Sequence, residues 1–265
     1  MSRYSAVRQC IYCGAQNKLT TEHIIPYGLG GQFELPEASC TPCATITGRF
    51  EGSVLRTMFG NARIKLNFPT RRRKQRPKSL EIELLGSSGI VRHNIPIIDH
   101  PTALQMLGFD TPRILLGHSG PDTSMNVSFV VVTLGADYIN NIKKIIPDGG
   151  KIHMRVRPVD LGRMLAKIAH SYAVAELGSP SFTPLLNDFI LGRKEFDGNY
   201  LVGGMLQDLP PSDPTILHEL KWRWEDTAHG RFLLVGVRLF SCLGGPQHLV
   251  VAGRSSTMSA SMHNS

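Results

Sequence analysis

Four cysteines stand in two pairs, Cys10-Ile11-Tyr12-Cys13 and Cys40-Thr41-Pro42-Cys43, with 26 residues between the pairs. Each CxxC spacing places two thiolates on one side of a tight turn. Two such turns make a tetrahedral sulfur site suited to structural Zn²⁺. Between the pairs run Thr21-Glu22-His23-Ile24-Ile25-Pro26 and the glycine-rich Gly28-Leu29-Gly30-Gly31. A carboxylate beside an imidazole can serve hydrolysis. Imidazole titrates near neutral pH and can accept a proton from water. A carboxylate can hold a divalent cation against a scissile phosphate. Strand neighbours point to opposite faces, so Glu22 and His23 need a bulge or twist to serve one site, or they address metal and water from different sides.

The order of these parts resembles the HNH endonuclease family in its four-cysteine form: CxxC, acid–His–Ile–x–Pro, a glycine-rich turn, then CxxC opening a helix. The resemblance covers about residues 8–60. It implies a ββα-metal fold, DNA cleavage, a catalytic Mg²⁺ or Mn²⁺ on Glu22, and His23 as general base. Two positions depart from the pattern. The family commonly has Asn or His after the last cysteine, where this chain has Ala44, and no Asn occurs in residues 34–39 before the second pair. Thr47, Gly48 and Glu51 follow Ala44 on the same helix face. Of these, Glu51 alone is a strong hard-cation ligand, and it is expected to replace the missing one. A solvated helix glutamate is the alternative.

The charge pattern points to a polyanion. Residues 1–78 hold 13 of the 29 Lys/Arg but only four of the 21 Asp/Glu, while the whole chain is +8. The remainder is therefore close to neutral. The densest run is Arg71, Arg72, Arg73, Lys74, Arg76 and Lys78, read either as phosphate contacts or as a solvated linker. DNA is the expected partner, with RNA possible, because charge does not distinguish the two. The alternative function is a non-catalytic, zinc-stabilised nucleic-acid-binding module. No apolar run has membrane-spanning length. The start MSRYSAVRQC lacks an apolar signal region, so the cytoplasm is the expected location.

The elements that must position these groups follow from periodicity. A short strand is expected around His23 to Pro26. A helix is expected from Pro42–Cys43 to Met58, its apolar stripe made by Ile46, Phe50, Val54 and Met58. Asn61 to Phe68 reads as extended. The fold class is α+β, with a small zinc domain at 1–70, a basic linker at 71–79, a larger mixed domain at 80–253 and a disordered tail at 254–265. In the larger part, 80–85 and 90–98 form a hairpin across Gly86–Gly89, and 126–134 and 151–156 are strands. Asp160 caps a helix to Leu177 with the stripe Leu161, Leu165, Ile168, Tyr172. Arg163, Lys167 and His170 stand opposite that stripe, as a solvated or phosphate-binding face. Residues 184–191 suggest a second helix, and 218–225, 231–240 and 248–252 a closing set of strands. Trp222 and Trp224 share one strand face and read as packing residues.

Overall fold

The first cysteine pair is built on a turn that only a left-handed residue closes. Gly14 follows Cys13 at φ +78, its N–H donates to Cys10 O at 2.9 Å, and Cys10 N–H donates to Ala15 O at 2.7 Å. The computed structural model of the chain describes residues 4–70, 73–118, 126–146, 150–193, 199–204 and 209–255.

From the turn the chain enters strand β1 (Leu19–His23), which pairs antiparallel with β2 (Glu34–Cys40). The strand thus ends at His23 instead of continuing to Pro26, because Pro26 leads straight into the short turn Tyr27–Leu29. Between them Gly31 approaches Ile25 so closely that a Cβ would lie 2.0 Å from its carbonyl oxygen. Pairing in the ribbon is irregular: Thr20 faces Ser39, yet Glu22 faces Leu35. The surplus residues lie in β2, where Glu37 takes a left-handed φ of 51.

Helix α1 (Thr41–Thr57) begins at Cys40, whose extended backbone and following Pro42 set the first turn. Phe50, Val54 and Met58 are buried along the expected stripe, with Ile46 packed against the same core. Residues expected to be extended instead form helix α2 (Gly60–Lys65). Alternation of Ile64, Leu66 and Phe68 imitates a strand, but burial of Phe59 and Ala62 at helical spacing winds the segment.

The remaining elements are hairpin β3 (Ser79–Gly86) and β4 (Gly89–Pro96), ribbon β5 (Ala103–Phe109) and β6 (Val127–Thr133), and helix α3 (Tyr138–Ile145). Strand β7 (Lys151–Ile152) pairs with β3 and is shorter than the expected 151–156. Helix α4 (Pro158–Leu177) follows, then β8 (Thr183–Pro184), helix α5 (Asn187–Leu191) and β9 (Val202–Gly204). Strands β10 (His218–Thr227), β11 (Gly230–Leu239) and β12 (Gln247–Arg254) complete the chain. They form a sheet in the order β10-β11-β12-β8, with β9 also on β12. Trp224 packs against the core beneath the Arg231 guanidinium, and Trp222, two residues away on the same strand face, is the more exposed of the two.

Helix α4 is the pivot of the molecule. It touches α1 and α5 as well as β11 and β12. Leu161, Met164, Leu165, Ile168 and Ala169 are fully buried on it. One continuous apolar cluster contains residues from both sides of the 71–79 segment. Of the tail, Arg254 is still paired in β12, and residues 256–265 lie outside the described ones. No helix among the described residues is long and apolar enough to cross a membrane.

Candidate active site and metal centre

Cys10, Cys13, Cys40 and Cys43 converge, with every sulfur within 4.8 Å of the others. The sulfurs of Cys13 and Cys40 lie 3.6 Å apart. Tetrahedral zinc with Zn–S of about 2.3 Å separates its sulfurs by about 3.8 Å, so the quartet fits the ion. Local structure makes the fit. Cys10 and Cys13 flank the Gly14 turn, Cys40 ends β2, and Cys43 lies in the first turn of α1. Burial pushes the Cys10 and Cys43 thiols up, and for Cys43 the neighbouring Cys40 and Cys13 add to it. Thiols so placed lose their protons readily only to a cation that replaces them.

Beside this centre opens a cleft of about 340 Å³ between β1, the glycine-rich turn and α1. Glu22, His23, Ala44, Thr47, Gly48, Glu51 and Lys167 line it. Glu22 and His23 both reach this cleft from the end of β1, where they pair in regular register with Leu35 and Glu34. His23 is half-buried on the wall, and its Nε2 lies 2.9 Å from Glu34 Oε1, contributed by the partner strand. Its ring meets Tyr27 edge-on at 5.8 Å. Ala44, at the position where the family pattern carries a ligand, lines the cleft and offers no ligand atom. Glu51, two turns along α1, enters the same cleft as Glu22.

What joins Glu22 to Glu51 is a residue from α4. Lys167 Nζ lies 2.6 Å from Glu22 Oε1 and 2.9 Å from Glu51 Oε1. It also donates to the carbonyl of His23 and, at 3.5 Å, to that of Ile24. The lysine side chain is 1% exposed and those of Glu22 and Glu51 are 7% and 18% exposed. Burial works against the Lys167 charge, but the two carboxylates outweigh it and raise its pKa. Burial also raises the Glu51 carboxyl, and Glu22 adds to the rise while Lys167 opposes it.

Helix α4 therefore has no basic solvent face, contrary to the expectation for Arg163, Lys167 and His170. Arg163 donates to Ile190 O at 2.6 Å and stacks over Phe50 at 4.9 Å. His170 Nε2 is 2.8 Å from Ile11 O, and burial pushes its pKa down to about 4. The helix is covered on several sides, so each polar side chain on it must find a protein partner. Lys167 is the site residue that pattern reading misplaced. The available signal was a lysine inside the apolar run Met164-Leu165-Ala166-Lys167-Ile168-Ala169, which demands a buried counter-charge.

The basic run is partly visible. Arg71, Arg72 and the Arg73 side chain lie outside the described residues. Lys74 and Lys78 are exposed. Arg76 donates to Phe68 O at 2.5 Å and to Asn67 Oδ1. With Arg56 and Arg63 it lines a second hollow of about 340 Å³, which shares Leu55, Arg63 and Thr70 with the cleft. Arg63 is fixed there by donating to Gly28 O at 2.6 Å.

A second cation, on Glu22 and Glu51, fits less well than zinc on sulfur. The Lys167 ammonium already contacts an oxygen of each carboxylate, and Ala44 offers none. Among the described residues, the four cysteines are the one group that gathers three or more His, Cys, Asp or Glu ligand atoms at metal-binding distance.

No curated protein and no solved structure matches the chain. Residues 10–59, which hold all four cysteines, Glu22, His23 and Glu51, match the family model described as HNH endonuclease, a family match that implies a nucleic acid substrate.

Proposed function

We propose that this cleft hydrolyses phosphodiester bonds of DNA, with His23 as general base. The observation that carries the reading is the His23–Glu34 contact of 2.9 Å on the wall of the cleft that also holds Glu22. A base needs a partner that fixes its orientation and tautomer. A neutral imidazole donating from Nε2 to Glu34 carries its basic lone pair on Nδ1. Water then attacks phosphorus, a new P–O bond forms, and the water proton passes to His23. The bond to the leaving sugar oxygen breaks, and that oxygen takes a proton from solvent.

Phosphate binding falls to the cations beside the cleft: Arg56, Arg63 and Arg76, continued by Lys74 and Lys78. Their contacts would be with the backbone and would not read sequence. The Mg²⁺ or Mn²⁺ expected from the sequence would need Glu22, which Lys167 already engages, and the proton transfers above use His23 and solvent alone.

The rival reading is a nucleic-acid-binding module without catalysis, favoured by the Ala44 methyl in the ligand position. Plasmid nicking by the purified chain, with and without Mg²⁺ or Mn²⁺, separates the two. Cleavage lost in His23→Ala supports the nuclease. DNA binding without cleavage under any of these conditions supports the rival, and cleavage of RNA alone reassigns the substrate.

A further inference from the structure

We propose that the Lys167 ammonium is the resident cation of the cleft, standing between Glu22 and Glu51 where the family pattern leads one to expect a divalent ion. The proposal rests on the nuclease reading only for its consequence in catalysis; the ion-binding behaviour stands apart from it.

Two carboxylates brought together in a covered cleft repel each other, and a cation must stand between them. An ammonium has three donors. Here the nitrogen donates to the His23 carbonyl and stands 2.6 Å from Glu22 Oε1 and 2.9 Å from Glu51 Oε1 as the counter-charge of both. The ammonium charge is therefore engaged by the very carboxylates a divalent ion would recruit. The stem cannot swing away into solvent, because Lys167 springs from the middle of α4 between buried Ala166 and Ile168.

A small divalent ion such as Mg²⁺ takes near-octahedral oxygen ligands at about 2.0–2.1 Å and keeps several waters. To bind both carboxylates it would have to displace a tethered charge. Without displacement it would meet a cluster of net charge −1 instead of −2, beside a methyl group at Ala44. Charge and ligand count both fall short by one.

Lys167 touches β1 as well as the acids. Its bond to the His23 carbonyl holds the end of the strand from which the imidazole projects. It is thus a positioning residue supplied by α4. The segment of residues 10–59 is completed by a residue, Lys167, that lies 108 positions beyond its end in the chain.

The test counts Mn²⁺ bound to the zinc-loaded full chain by electron paramagnetic resonance. The wild type is expected to bind no Mn²⁺ in the cleft, giving the same titration as Glu22→Gln. Lys167→Met frees both carboxylates and is expected to gain one Mn²⁺ site, about ten-fold or more tighter than any in the wild type. That gain should vanish in Lys167→Met/Glu22→Gln. If Lys167→Met fails to fold, Lys167→Gln keeps a polar side chain against both carboxylates, removes only the charge, and should gain the same Mn²⁺ site. A wild-type Mn²⁺ site abolished by Glu22→Gln overturns the proposal, and so does the absence of any gain in the folded Lys167 variants. None of these titrations depends on whether the chain cuts DNA. A failed nicking assay would count against the proposed function and leave the resident cation standing.

Discussion

Lys167 reaches from the middle of α4 to Glu22 on β1, with Nζ 2.6 Å from Oε1, and both side chains are almost wholly covered. A pair so buried has no water to replace a missing partner. The contact joins residues 145 positions apart and sits among others on the same helix. Asp160 accepts from Ser53 at 2.6 Å, Ser171 meets Tyr12 at 3.2 Å, and Tyr4 donates to Glu176 at 2.5 Å. Helix α4 is in this way a second wall of the cysteine-bearing segment.

Removing the Lys167 charge should therefore destabilise the protein strongly. Breaking one side of a buried ion cluster costs about 3–5 kcal/mol. Lys167→Met should lose stability of that order in urea unfolding. The triple variant Lys167→Met/Glu22→Gln/Glu51→Gln should recover much of it, because no uncompensated charge remains. Equal losses in the two variants would mean that packing, and not charge pairing, governs the site.

Zinc should be present at one ion per chain, measured by elemental analysis. Cys40→Ser should lose the ion together with the fold of residues 10–59, since Cys40 joins β2 to α1. A variant that keeps its unfolding temperature without zinc would remove the structural role assigned to the metal.

His23→Ala should lower the nicking rate by about 10²–10⁴-fold, the range for a general base. Zinc content and DNA affinity should stay near wild type, because the base acts in the transition state. Glu34→Gln should cause a smaller loss, since it weakens the group that orients the ring. Comparable rates in His23→Ala and the wild type would dismiss the base.

Replacing Arg71, Arg72, Arg73 and Lys74 by Gln should weaken binding to all DNA sequences alike. For every phosphate that is no longer neutralised, the slope of log affinity against log salt should flatten by about 0.9. Filter binding at several salt concentrations measures it. An unchanged slope would make the run a linker.

Acid should unfold the protein through its buried histidines. Burial pushes His170 and His218 down from 6.5 to about 4. Between those values the unfolded chain binds protons that the folded chain refuses. Stability is fully present above about pH 6.5 and falls as pH drops toward 4, by up to about 1.4 kcal/mol per pH unit for each group. Thermal unfolding from pH 7.5 to 4.5 checks this, and a flat profile would show that the rings protonate in place.

Much of the molecule was legible in residue order because its determinants are local. The CxxC pairs carry their own turns, and the stripe from Phe50 to Met58 is a property of one helix. The hairpin across Gly86 and Gly89 and the strands β10, β11 and β12 were equally readable, since alternation and turn residues act over a few positions. The segment 61–68 was not, because its alternating Ile64, Leu66 and Phe68 mimic a strand while burial of Ala62 decides for a helix. The bulge or twist expected between Glu22 and His23 is absent there, and the ribbon's irregularity falls between Thr20 and Glu22 instead. That the surplus would lie in β2 at Glu37 depends on how the two strands meet.

Residue types and spacing by themselves determined that four thiols would gather, that Glu22 and His23 would stand together, and that Glu51 would lie on the α1 face bearing Ala44. Only the tertiary structure decided what lies between the acids. A lysine on a helix reads as a surface residue when its helix is taken alone, since an ammonium is cheapest in water. Once α4 is enclosed by α1, β11 and β12, Lys167 has no water to reach, and its charge is satisfied by the carboxylates that the ribbon and α1 present to it. Periodicity is set by neighbours a few residues away, whereas burial is set by elements far off in the chain. That is why the cysteines could be read from the residue order and the Glu22–Lys167–Glu51 cluster could not.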